Sequence, residues 1–186
     1  MERWVVAAKR ADFAAIGNEF GIDPVIARLI RNRDVQDREE IRRYLHGTVE
    51  ELASPHLMKD VDKAVEILRN KIKEKKRIRI IGDYDIDGVV STFILIKGLK
   101  RVGALADTYI PDRVADGYGI HEHLIERAVN DGIDIIVTCD NGIAAYNEIA
   151  MAKEKGMTVI ITDHHEIPYK ETESGRELIL TSADAI

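Results

Sequence analysis

From Arg77 onward the chain alternates two kinds of segment, and no other feature restricts the fold as much. Short runs rich in β-branched residues fall at 77–82, 106–110, 133–138 and 157–162. Between them, 89–99, 121–130 and 143–155 carry apolar residues at helical spacing, the last closed by Gly156. The third run, 133–138, is strongly apolar. Strands alternating with helices predict an α/β fold, a parallel sheet covered by helices on both faces. The stretch 89–99 is apolar enough to predict a largely buried helix.

Residues 1–75 read as a small helical region, and the change of pattern places the domain boundary near residue 76, giving units 1–75 and 76–186. Asp23-Pro24 supplies a capping residue and a proline for the first helical position. Val25, Ile26, Leu29 and Ile30 then line one face. Asp37 and Glu40 have capping-box spacing, and Gly47 can end the helix that follows. Val61, Ala64, Val65, Leu68 and Ile72 recur at helical spacing, with basic residues from Lys71 at the C-terminal end.

Composition excludes several classes. Apolar residues make up 45%, enough for a core, and no apolar run approaches a membrane span. Met1-Glu2-Arg3-Trp4 leads into mixed sequence without a secretory apolar stretch. The lone Cys139 forms no internal disulfide and fits a reducing, cytoplasmic setting. With no base pattern around it, Cys139 reads as a small buried residue. The net charge of −6 is unlike that of a protein that grips many phosphates, although an acidic metal site accounts for part of it.

Chemistry gathers where strands end. The first strand runs into Asp83-Tyr84-Asp85-Ile86-Asp87-Gly88, the third into Asp140-Asn141-Gly142, the fourth into Asp163-His164-His165. In open α/β sheets ligands bind beyond the carboxyl ends of the strands, where strand order reverses. The order 2-1-3-4 is therefore expected, with Asp83, Asp85 and Asp87 meeting Asp140 across neighbouring strands about 4.8 Å apart. Converging carboxylates repel one another and cations relieve the repulsion. Oxygen donors favour Mg²⁺ or Ca²⁺, and imidazole shifts preference toward Mn²⁺ or another transition metal. Two ions can clamp the attacking and leaving oxygens of a phosphoryl displacement, with Asp140 as the bridging candidate. Gly88 and Gly142 are each expected to open a helix whose N-terminal N–H groups face phosphate oxygens. Singly, each motif is ordinary: a helix cap, a turn, a solvated His pair. After the second strand, Arg113 could hold a phosphate and Tyr118 could stack on a base, or the segment is a Pro/Gly turn with a solvated Arg. His121 and His123 read as solvated helix residues.

These motifs resemble those of the DHH phosphoesterase superfamily: Asp-Tyr-Asp-Ile-Asp-Gly at 83–88, Asp140-Asn141-Gly142-Ile143, and Asp163-His164-His165-Glu166. Within it the chain resembles the RecJ family of single-strand-specific 5′→3′ DNA exonucleases, over most of 50–186. The resemblance extends to Ile110-Pro111-Asp112-Arg113 and Gly117-Tyr118-Gly119-Ile120. It implies a Rossmann-like domain and a two-metal site holding Mn²⁺ or Mg²⁺. Asp83, Asp85, Asp87, Asp140 and His164 would hold the ions, with the direct ligands among the first three left open. Asp163 would orient the His pair, and His165 would face the scissile phosphate or support the metals. Asp140, His164 and His165 become the catalytic set, and Arg113 and Tyr118 substrate contacts.

The implied activity is metal-dependent hydrolysis of single-stranded DNA in repair and recombination, with helicase and single-strand-binding proteins as partners and no membrane. The superfamily's fourth, metal-binding Asp motif has no match in 166–186, since Asp184 lies too close and in the wrong context. The chain therefore reads as an N-terminal fragment, expected to bind metal weakly and to be inactive alone. Rival readings are an oligoribonuclease or cyclic-dinucleotide phosphodiesterase of the same superfamily, and a non-catalytic DNA-replication scaffold. A plain nucleotide-binding domain would need a Gly-rich phosphate loop, which the sequence lacks.

Overall fold

The computed structural model describes residues 9–173 and 175–186. Met1-Glu2-Arg3-Trp4 lies outside the described residues. The chain divides into two compact units, Met1–Ser54 and Pro55–Ile186.

In the first unit, α1 (Phe13–Phe20) starts where Asp12 accepts the Ala15 N–H and stops at Gly21, whose φ of 66° ends the helix in the left-handed region. α2 (Pro24–Asn32) begins at the Asp23 cap with proline in its first turn, as the sequence predicts. Its buried residues are Ala27 and Ile30, whereas Val25, Ile26 and Leu29 are exposed. The packed stripe is thus the i,i+3 pair 27/30, narrower than the four-residue face expected. α3 (Arg38–His46) carries the reciprocal Asp37/Glu40 capping box and ends at Gly47.

The second unit runs α4 (Val61–Lys73), β1 (Arg77–Ile81), α5 (Ile86–Arg101), β2 (Leu105–Tyr109), α6 (Glu122–Asn130), β3 (Ile135–Cys139), α7 (Tyr146–Glu154) and β4 (Thr158–Thr162). A hairpin, β5 (Tyr169–Thr172) and β6 (Gly175–Leu178), follows. The main sheet is parallel in the order β2-β1-β3-β4, as expected. α4 belongs with the sheet: Ala64, Ile67, Leu68 and Ile72 pack on its core. The compact-unit boundary therefore precedes the change of sequence pattern at 76.

Strand alternation sorts the core into two layers. Ile78, Ile80, Ile135, Val137, Cys139 and Ile160 face α4 and α5. Ile81, Ile136, Val159 and Ile161 face α6 and α7, which contribute Leu124, Ile125, Ala128, Ile149 and Ala152. One expectation fails here. α5 is not largely buried: Val89, Val90, Phe93 and Ile94 are exposed, and only Gly88, Thr92 and Leu99 are buried. An apolar helix against one face of a sheet hides a stripe, and hydropathy alone does not show how wide that stripe is. The hairpin was not foreseen because its strands are exposed throughout and carry no buried alternation. Among the described residues no helix is long and apolar enough to cross a membrane.

One charge breaks the apolar pattern. Arg79 on β1 is 8% exposed, with Nε and Nη2 each 2.8 Å from the Asp107 carboxylate and Nη1 2.8 Å from Asp131. Its guanidinium is held more firmly protonated by the Asp107 hydrogen bond, which outweighs burial, with Asp131 adding to it. The planar fork ties β1, β2 and the end of α6 in a way an ammonium cannot. Arg79→Ala should lower unfolding stability by about 2–4 kcal/mol, through lost charge-assisted bonds and lost stem packing. Urea denaturation measures this, and a loss under about 0.5 kcal/mol, the range of an ordinary surface change, would contradict it.

Candidate metal centre

The reversal of strand order lies between β1 and β3, and the acidic loops meet there. The β1–α5 loop is held tight by its own residues. Asp85 caps α5 by accepting the Gly88 N–H at 3.0 Å, and this bond chiefly keeps its carboxyl below the usual range. Gly88 has no room for a side chain, since a Cβ would stand 2.6–2.7 Å from the Asp83 backbone. At Gly82 a Cβ would collide with Thr92 Oγ1, so both glycines let α5 press against the acidic loop. The Gly88 N–H, expected to face a phosphate, is committed to Asp85.

The β3 loop turns sharply. Asp140 has φ 62°, a left-handed conformation uncommon outside glycine, and its N–H donates to Thr162 O on β4 at 2.9 Å. Buried Asn141 donates from its amide to Ile81 O and Cys139 O, joining the β3 loop to β1. Cys139 is buried with Sγ 3.3 Å from Thr92 Oγ1, and burial pushes its thiol up, in keeping with a packing residue. The helix expected to open at Gly142 begins later, at Tyr146. Gly142 instead occupies a loop at φ 106°, and the N–H of Ile143 donates to Asp163 Oδ2 at 2.9 Å. That carboxylate replaces the helical turn the sequence suggested.

Asp163 is the anchor of the His pair. Its side chain is 2% exposed and accepts from the backbone N–H of His164 at 2.8 Å and of His165 at 3.1 Å. His165 Nδ1 lies 2.7 Å from it. Burial alone would raise the Asp163 carboxyl, but the Ile143 and His165 hydrogen bonds prevail and hold it low. The same bond raises the His165 imidazole above its ordinary value.

The donors converge in two overlapping groups. Asp83, Asp85 and Asp140 each place a carboxylate oxygen within 4.8 Å of the others, and so do the ligand atoms of Asp140, His164 and His165. Asp140 belongs to both groups. His164 Nε2 lies 2.9 Å from Asp140 Oδ1, close to the roughly 3 Å between neighbouring donors on an octahedral ion with bonds of about 2.1 Å. Asp87 stands at the margin, 4.0 Å from His164 Nε2. Burial and the nearby Asp87 charge raise the Asp140 carboxyl. Asp83 is 3% exposed, and its Oδ1 is buried with no hydrogen-bond partner among the described residues. A buried carboxylate oxygen left unpaired is costly, and a cation is the partner that removes the cost. The donor set therefore fits divalent ions that accept oxygen and imidazole, such as Mn²⁺ or Mg²⁺.

Beside the cluster runs a ladder of rings. Tyr118 Oη lies 3.1 Å from His165 Nε2. Tyr84 meets Tyr118 edge-on at 6.4 Å, and the Arg113 guanidinium sits over the Tyr84 ring at 5.3 Å. Burial first, then the field of Asp163, Asp83, Asp140 and Asp85, pushes the Tyr118 hydroxyl up to about 12. Sequence reading named Arg113 and Tyr118 but not Tyr84. Its position between two acidic residues of the same loop was the available signal. His123 is not merely solvated: Nε2 lies 2.7 Å from Asp116, whose other oxygen takes the Asp112 N–H and the Tyr109 hydroxyl, so it orders the loop bearing Arg113. His121 stands just before α6, at its cap position. Asp184 is occupied far from the cluster, accepting from Lys153 and from the Val159 N–H near the start of β4.

Together these features define a doubly wound α/β domain with a cluster of candidate cation ligands at its topological switch point. The chain belongs to the DHH family, whose N-terminal domain matches residues 77–184. It is 37% identical over 165 residues to the single-stranded-DNA-specific exonuclease RecJ of Bacillus subtilis, covering 88% of this chain and 21% of that protein. It is 35% identical over 145 residues to RecJ of Escherichia coli, covering 77% of this chain and 24% of that one. The chain thus spans under a quarter of the length of these two relatives. A crystal structure of exonuclease RecJ bound to manganese superposes with a TM-score of 0.57 at 37% identity, covering 62% of this chain and 29% of that one. RecJ from Thermus thermophilus in complex with Mn²⁺ gives 0.55 at 27% identity, over 83% and 21%.

Because Gly88 is pinned against the Asp83 backbone, Gly88→Ala should leave helix content intact by circular dichroism while weakening Mn²⁺ binding by about tenfold or more. Unchanged affinity would show that the close approach does not position Asp83.

Proposed function

We propose that this chain supplies the metal-binding part of a 5′→3′ exonuclease that hydrolyses phosphodiester bonds of single-stranded DNA, in the cytoplasm and in DNA repair. The observation that carries the reading is the sharing of Asp140 by two donor groups, with the buried, unpaired Asp83 oxygen in one of them. The names of the relatives support the substrate, and the manganese-bound structures of similar chains support the cofactor.

In this reading Asp83, Asp85 and Asp140 would hold one ion, and Asp140 with His164 and His165 would hold or face the second, with Asp87 at the rim. When bound, the ions supply Lewis-acid stabilisation of charge developing on the phosphoryl oxygens. The protein's own work is positional. Asp163 fixes the His165 imidazole and the backbone of Ile143, His164 and His165, so the loop is ordered before substrate arrives. His165, whose imidazole Asp163 raises, presents Nε2 beside the Tyr118 hydroxyl. Arg113, braced on Tyr84, offers a planar fork to a phosphate of the strand. Helicase and single-strand-binding proteins are the proposed partners of the whole enzyme.

Titration of Mn²⁺ into the 186-residue chain, followed by electron paramagnetic resonance, tests the cluster. Asp140→Ala should abolish both binding events or weaken each by at least about tenfold, because one residue serves both. Wild-type affinity in the variant would overturn the assignment.

A further inference from the structure

A cleft of about 610 Å³ runs between α4 and α5, the two helices that cover one face of the sheet. The half-buried Leu68, Ile72 and Leu95 form its floor, and the exposed Val65, Ile94 and Val102 form its upper walls. α4 leads into the start of β1, and α5 leads from the end of β1 to the start of the parallel β2, so the two helices run the same way. Their C-termini lie at the amino ends of the strands, opposite the acidic cluster. The walls run from Val65 to Lys73 and from Ile94 to Val102, about 12 Å each at about 1.5 Å per residue.

Two properties say what fills it. The first is Gly98. It lies inside α5, where glycine is less favourable than alanine, and a Cβ there would meet no atom within 4 Å. Nothing in this chain requires the missing side chain. Its absence leaves a notch in the cleft wall between Ile94 and Val102, one turn to either side, of the kind that admits a close-lying group. The second is charge. Arg69 and Lys73 line one wall, and Lys97 and Arg101 directly precede Gly98 and Val102 on the other. All four are exposed, and none forms an ion pair among the described residues. Lys73 and Arg101 end their helices and offset the helix dipole, but Arg69 and Lys97 lie a turn further in, beyond its reach. Among the described residues no acid lines the cleft. Asp62 and Glu66 continue the α4 rim toward its N-terminus, where Asp62 pairs with His56.

Apart from Arg69 and Lys73 every lining residue is apolar or glycine, so no polar group fixes the orientation of a small ligand. A second copy of this chain fits poorly, because its own exposed apolar ridge, α5, carries Lys97, Lys100 and Arg101. We infer that the cleft docks an amphipathic helix of a partner protein, its apolar stripe on the floor and its acidic flanks against Arg69, Lys73, Lys97 and Arg101. Anchors at i, i+3, i+4 and i+7 span about 10 Å, which matches the walls. The Gly98 notch receives the largest anchor. The acids of the partner gather at the end where α4 and α5 finish. The docked helix lies away from the metal cluster, so the inference stands independently of the phosphodiesterase reading.

The test is ¹⁵N NMR of the 186-residue chain, titrated with a synthetic amphipathic helix of about four turns, leucine on its apolar stripe and glutamate on its flanks. A twin peptide carries lysine in place of glutamate. The acidic peptide should shift the amides of 65–73 and 94–102, leave those of 83–88 and 140–142 unmoved, and bind about tenfold tighter than its twin. Arg69→Glu combined with Lys97→Glu should reverse the preference. Gly98→Leu should weaken the acidic peptide by about tenfold while raising the thermal unfolding midpoint, since leucine suits a helix better than glycine and its Cβ meets nothing. Lost binding in that variant is then not lost folding. Absence of binding by the acidic peptide, equal binding of the twins, shifts outside the cleft, or wild-type affinity in Gly98→Leu would overturn the inference. A chain that sediments as a dimer until Gly98→Leu makes it monomeric would give the cleft to a second copy and overturn it too. So would cleft shifts produced by anionic phospholipid vesicles and by neither peptide, which would give it to a membrane surface.

Discussion

Carboxylates brought within a few ångströms of one another repel, and the rest of this structure is arranged around holding them there. Asp83, Asp85 and Asp140 converge across the β1–β3 junction, with the Asp83 oxygen buried and unpaired. A parallel sheet makes the convergence geometrically unavoidable. Neighbouring strands end side by side, so the loops that follow β1 and β3 share one crevice. The acids are kept from relaxing apart by steric means. Gly82 and Gly88 bring α5 against the acidic loop, and Asn141 bonds across to the end of β1. The left-handed turn at Asp140 is fixed by its N–H bond to Thr162. The cluster is thus a local violation of what favours folding, offset by the apolar layers beneath it, and of a kind that a bound cation would relieve.

Asp163 plays the opposite part. It too is a buried carboxylate, but its hydrogen bonds leave it fully satisfied: Ile143, His164 and His165 all donate to it. One acid is spent on architecture so that the others remain available to ligands. The contrast separates the two roles more clearly than residue type does. Tyr118 registers the sum of these charges, its hydroxyl pushed up by burial and by four neighbouring acids.

Much of this was legible in the residues. Short β-branched runs between amphipathic stretches gave the parallel sheet, and the rule placing ligands at strand reversals gave the order β2-β1-β3-β4. Asp140, alone a turn residue, became a bridging candidate only when set beside the other strand ends. Other features depended on contacts that no local pattern carries. The late start of α7 follows from Asp163, twenty residues away, capturing the Ile143 N–H. The exposure of Phe93 and Ile94 on α5 depends on how the helix lies against the sheet, which hydropathy does not record. The place of Tyr84 between two acids marks its loop but not its partners, Arg113 and Tyr118, which arrive from the loop after β2. The β5–β6 hairpin is exposed throughout and is held by backbone pairing without an apolar signature.

The account turns on Asp140 serving two cation positions at once. Anomalous diffraction at the manganese edge, from crystals of the chain grown in Mn²⁺, examines this directly. The structure predicts two peaks about 3.5–4 Å apart, both within bonding distance of the Asp140 carboxylate. A single peak, or two peaks that do not share Asp140, would contradict it.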